Sequence, residues 1–179
     1  KNNYSSQYAL FKYFIIKQEN RKMPLILHME WLSVFYVLEK LNAYVTLLSW
    51  KKMYKLDVGI HFMDYVFDLT EQSQFINYPS ILVYKKITDM LINVEDTSHY
   101  FSLRSQMKQY VGKFSEPMQR EMYTTALSYC IEKVNQSRID FNREVFNLFK
   151  ESVENNIIQE NNEISVPVFR NIVVAALRV

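Results

Sequence analysis

The sequence predicts an all-α fold, and three observations carry that prediction. Apolar residues recur at three- and four-residue spacing along most of the chain. Short polar breaks with helix-capping chemistry separate these runs. Only two glycines occur, Gly59 and Gly112, whereas β-rich and dinucleotide-binding chains need more of them for tight turns and phosphate loops. About eight helices are expected, paired as antiparallel hairpins. With 179 residues, 49% of them hydrophobic and 15% aromatic, the chain has enough apolar mass for one substantial core and is not of disordered composition. No shift in composition marks a boundary, so residues 1–179 read as one helical domain.

The first helix spans Tyr4–Lys17, with Leu10, Phe11, Phe14 and Ile15 as its expected inner face, and Glu19–Pro24 closes it. Leu25–Lys55 reads as one long helix. Its seam of Trp31, Val34, Leu38, Leu41, Val45 and Leu48 alternates steps of three and four. Leu32, Phe35, Val37 and Leu47 beside that seam exceed what a two-stranded coil carries, so this helix should pack on more than one neighbour. A kink near Asn42 is compatible with the pattern. Asp57 can cap a helix over Val58–Leu69, with Phe62, Met63, Val66 and Phe67 inside. Asn77-Tyr-Pro79 leads into Ser80–Ile92, which is apolar on two faces. Asp96 can cap Thr97–Val111, whose seam is Tyr100, Leu103, Met107 and Tyr110. Gly112 follows at the C-terminal end.

Pro117–Asn135 carries two apolar stripes, Met118, Met122, Ala126, Tyr129 and Val134 on one and Tyr123, Leu127, Cys130 and Ile131 on the other. A helix of that kind belongs between neighbours. Ser115 suits its N-cap and Pro117 its first turn. Ser137 with Asp140 three residues on has capping-box spacing. The next helix, Asp140–Glu154, aligns Phe141, Val145, Leu148, Phe149, Ser152 and Val153. Asn155-Asn156 stops it. After a polar loop, Ser165 and Pro167 open a last helix with Phe169, Ile172, Val173, Ala176 and Leu177 on one side, and Val168, Val174 and Val179 off it. One neighbour covers one stripe, so a further helix is expected beyond Val179.

Two segments carry a family resemblance: Val145-Phe-Asn-Leu-Phe-Lys-Glu-Ser-Val-Glu-Asn-Asn-Ile-Ile158 and Val166-Pro-Val-Phe-Arg-Asn-Ile-Val-Val-Ala-Ala-Leu177. Together they resemble the junction between two pentatricopeptide-type repeats, and the wider chain resembles large bacterial proteins built from tetratricopeptide-like arrays. The resemblance is closest over 117–179. The ten or so residues before Pro167 are longer than the family's short link. It implies a right-handed α-solenoid of helix hairpins, a non-enzymatic scaffold and a protein or peptide partner. Its alternative implication is single-stranded RNA binding, with a polar residue near the start of each first helix reading a base. The matching position here is Asn171, but Ser80–Ile92 and Pro117–Asn135 have no consistent polar residue at the equivalent place.

The remaining chemistry is sparse. Net charge is +2, from 21 basic and 19 acidic side chains, which predicts no polyanion partner. Cys130 stands alone, cannot form an internal disulfide and reads as a small interior hydrophobe, in keeping with a cytoplasmic setting. No apolar run is long enough to cross a bilayer, and no membrane partner is expected. His28, His61 and His99 lack metal-ligand spacing. Asp64 and Asp68 stand one turn apart without the Glu-x-x-His pairs of a di-metal bundle and read as a solvated face. No cofactor and no catalytic residue is expected. Asn3-Tyr-Ser5 and Asn135-Gln-Ser137 match glycosylation triplets that need a secreted context. The basic pairs Lys51-Lys52 and Lys85-Lys86, with Lys55, would form a patch if their helices adjoin; ordinary solvated helix faces are the plainer reading. Those four lysines and Asn171 are the candidate partner-binding residues.

Overall fold

The computed structural model describes residues 5–18, 25–55, 59, 63–110, 112–159 and 163–179. Helix is the regular structure throughout, and no strand occurs among the described residues. The chain divides into two compact units, Lys1–Ser115 and Glu116–Val179.

In the first unit, α1 (Ser6–Gln18) folds back on α2 (Leu25–Tyr54). Tyr13 stacks on His28 with ring centres 4.1 Å apart, and Tyr8 meets Trp31 edge-on at 5.7 Å, so the two helices run antiparallel. The long helix forms because nothing in it breaks helical geometry: it has no glycine and no proline. Val34, Val37, Leu38, Leu41 and Val45 make its buried row. The expected inner face of α1 is corrected: among its described side chains Ala9 is buried, while Phe11 and Phe14 stand exposed. α1 is apolar on every side, so its period selects no face. The small Ala9 allows close approach, and the tyrosines turn inward.

α3 (Met63–Glu71) follows, with Met63 and Val66 buried. Asp57 and Phe62, which the sequence assigns to that helix, lie outside the described residues. A single turn, α4 (Ser73–Ile76), then leads to α5 (Pro79–Ile92), which packs on α2 and pairs with α6 (Thr97–Tyr110). Both faces of α5 are buried. On α6, Tyr100, Leu103 and Met107 form the inner row. The Asp96 carboxylate accepts the Ser98 backbone N–H at 2.9 Å, which is the cap the sequence predicts.

In the second unit, α7 (Glu116–Asn135) and α8 (Phe141–Glu154) form an antiparallel hairpin. Tyr129 meets Phe141 near the turn, and the Tyr123 hydroxyl donates to Glu151 at the far end. Residues of both predicted stripes of α7 are buried, Met118, Met122 and Ala126 on one and Tyr123, Leu127 and Cys130 on the other. The capping box at Ser137 and Asp140 does not form. Ser137 has φ 67°, and its N–H and that of Arg138 bond back to the Val134 and Lys133 carbonyls. This is a Schellman motif, so Ser137 ends α7 instead of starting α8. The Asp140 carboxylate is held by Arg138 at 2.9 and 3.1 Å, which pulls its pKa down. α8 ends the same way, with Asn156 at φ 55° and the buried Ile157 bonding to Ser152. α9 (Val166–Leu177) then lies against α8.

Candidate interaction surfaces

Of the residues singled out in the sequence, Lys51 and Lys52 occupy the last turn of α2, and Lys85 and Lys86 the middle of α5. Their helices do adjoin. Trp31 and Tyr78 touch edge-on, and Tyr44 of α2 meets Phe67, one turn before the Glu71 that holds Lys85, so α5 runs in the same direction as α2. Lys85 is seven residues past Tyr78 and Lys51 twenty past Trp31. At 1.5 Å per residue the two pairs sit about 20 Å apart along the helices. Lys85 is also committed to Glu71 at 2.7 Å, a hydrogen bond that lowers the Glu71 pKa. The four lysines therefore occupy two separate levels.

His28 is stacked on Tyr13, and its Nε2 is buried with no hydrogen-bond partner among the described residues. His99 lies 3.6 Å from the Asp96 carboxylate, and His61 lies outside the described residues. Asp64 and Asp68 are exposed on α3, and Cys130 is buried. The Tyr44 hydroxyl has a raised pKa, first through burial and then through the charge of Asp64. Among the described residues no group of three His, Cys, Asp or Glu is placed to hold a metal ion. No described helix is long and apolar enough to cross a membrane.

What the unit does present is a groove. A hollow of about 750 Å³ opens between α2 and the α3–α4 segment, walled by Leu32, Phe35, Tyr36, Tyr65, Leu69 and Phe75. Glu39 and Ala43 belong to it and also to a second hollow of about 430 Å³ that reaches Thr46, Leu47 and Trp50. The depression is thus continuous along one face of α2. Its walls are apolar and aromatic, with Glu39 and Lys40 as the charges on its rim. Such a lining offers burial area and few polar anchors, which suits a macromolecular surface better than a small polar substrate.

The second unit has a smaller cleft of about 290 Å³ between α7, α8 and α9, with Val134, Val145, Phe149 and Val174 in its walls and Asn142, Asn171 and Arg178 at its polar edge. Asn171 is therefore accessible and beside a cation. The stripe assigned to α9 is corrected here. Ala175 is buried and Val168 and Ile172 half-buried, while Phe169, Val173 and Leu177 stand open. α9 is apolar nearly all round, so spacing alone could not choose its inner face.

Two features escaped the sequence reading. Lys133 is 1% exposed, its ammonium 3.3 Å from Gln136 Oε1 and 5.7 Å from the Tyr129 ring. The open face of α2 had a visible signal, since Leu32 and Leu47 are surplus to the inner seam, but they read as packing on a further neighbour rather than as an open groove. Comparison with protein-family models, curated proteins and solved structures gave no match.

Proposed function

We propose that the chain is a non-enzymatic helical scaffold that binds a protein or peptide partner, in an array of antiparallel hairpins of the tetratricopeptide-like kind. The observation that carries this reading is the continuous apolar depression along α2, from Leu32 to Trp50. Exposed Tyr36 and Trp50 supply the large, rigid apolar anchors that dominate interface energetics. The packed pairs α5–α6 and α7–α8 support this reading, since such an array is built by stacking helix hairpins. Single-stranded RNA binding is the second reading, supported by Asn171 standing accessible beside Arg178.

Photo-crosslinking separates the two. With p-benzoylphenylalanine in place of Tyr36, irradiation in extract should give an adduct whose added mass survives ribonuclease. The same group at Phe101, exposed on α6, serves as the control. A ribonuclease-sensitive adduct would favour RNA. Adducts no stronger at Tyr36 than at Phe101 would remove the groove as the binding surface.

A further inference from the structure

The groove on α2 follows a second seam. From Met29 to Met53 one row of exposed positions steps three, four, three, four, three, four and three residues on the side away from the buried row, with Glu30, Lys40 and Lys52 exposed beside it. A 3.5-residue repeat sustained over more than three heptads is what a helix presents to another helix wound beside it. At 1.5 Å per residue the seam is about 36 Å long. We infer that this seam pairs with the same seam of a second copy of the chain, the two α2 helices running antiparallel about a two-fold axis level with Leu41.

The inference deepens the scaffold reading and rests on it, naming one protein partner for the groove. The seam is self-complementary. An antiparallel overlap centred on residue 41 sets Met29 against the partner copy's Met53 and Leu32 against its Trp50, exposed apolar side chains at both ends. Nearer the axis, Tyr36 meets Thr46, whose hydroxyl already donates to the Asn42 carbonyl at 3.1 Å and so needs no partner across the seam. At the centre, Glu39 faces the small, exposed Ala43, which lets the backbones approach.

The rim charges answer one another in the same register. No described residue of its own chain pairs with Glu39. The Lys40 ammonium lies 5.8 Å from the Tyr36 ring centre, held on the open face. Across the axis, Glu39 of one copy and Lys40 of the other differ by three residues, about 4.5 Å along the helices. Two equivalent ion pairs would flank the axis and offset the burial of each carboxylate.

Sedimentation velocity on the chain between 1 and 200 μM should show a concentration-dependent dimer. E39K and K40E should each weaken it about tenfold, and the double variant E39K/K40E should restore it, since the swap recreates both pairs. Both positions are exposed, so these variants should melt with the wild type. Direction is read by oxidation: chains with L32C mixed with chains with W50C should form a mixed disulfide faster than either alone, Cys130 being buried. A monomer at 200 μM, faster L32C–L32C linkage, or a double variant no better than the singles overturns the pairing. If pairing fails while the Tyr36 adduct with another protein persists, the scaffold reading stands without it; if both fail, the groove binds no protein.

Discussion

At the scale of single residues, the turn between α7 and α8 shows how backbone geometry overrides side-chain pattern. Ser137 has the chemistry of an N-cap and the spacing of a capping box, yet its φ of 67° and its backbone bonds make it the left-handed residue that terminates α7 just past the helix end. The left-handed region costs an L-residue roughly 1 kcal/mol that glycine avoids. Ser137→Gly should therefore stabilise the chain by up to about 1 kcal/mol, and Ser137→Val should destabilise it. Urea unfolding of the three chains gives the order, and a Val variant at least as stable as wild type would refute the argument. Met122 is a contrasting case, 1% exposed on a helix buried on two sides. Met122→Asp places an unpaired carboxylate there and should cost about 3–5 kcal/mol. An unchanged melting curve would mean that α7 is not buried as described.

At the scale of elements, α2 and α5 to α8 were legible because apolar residues recur along them at helical spacing. Val34, Leu38, Leu41 and Val45 of α2 and Tyr100, Leu103 and Met107 of α6 are buried as their spacing predicts. The inner faces of α1 and α9 were not legible. Phe11 and Phe14 on one and Phe169 and Leu177 on the other follow helical spacing but stand in solvent, because helices apolar on all sides offer several equivalent faces. Of the candidate site, Asn171 was found at a cleft edge, while the α2 groove was not foreseen. Its walls come from α3 and α4, whose placement against α2 no local pattern encodes. The cap on α6 gives a test at this scale. The Ser98 N–H holds the Asp96 pKa below its ordinary 3.8, so the cap's charged contribution is complete above that value and is lost as pH falls through the lower, folded one. Asn caps a helix without titrating. Asp96→Asn should match the wild-type melting temperature at pH 7 more closely than it does the acid drop: between pH 7 and pH 3 it should lose less. Equal losses in both chains would show that Asp96 does not cap α6 through its charge.

At the scale of the whole molecule, charge balance and groove chemistry predict how binding responds to salt. With 21 basic and 19 acidic side chains the net charge is +2. The lysine pairs of α2 and α5 stand at different levels, and Lys85 is engaged with Glu71. A backbone of phosphates would find no continuous cationic track among these four lysines. Neutralising several phosphates releases counterions and makes affinity fall steeply with salt, by roughly a thousandfold or more between 50 and 200 mM for six contacts. An apolar groove with one charge of each sign on its rim, Glu39 and Lys40, has no such dependence, because salt screens the two pairs and leaves apolar burial intact. The affinity of the partner captured at Tyr36 should therefore change by less than about tenfold over that range. Tyr36→Ala or Trp50→Ala should weaken it at both salt concentrations alike, each removing one aromatic anchor worth about 2 kcal/mol. Titration by fluorescence anisotropy at the two concentrations decides the matter. A steep salt slope that Tyr36→Ala leaves untouched would place binding on basic residues and favour RNA at the cleft beside Asn171 and Arg178.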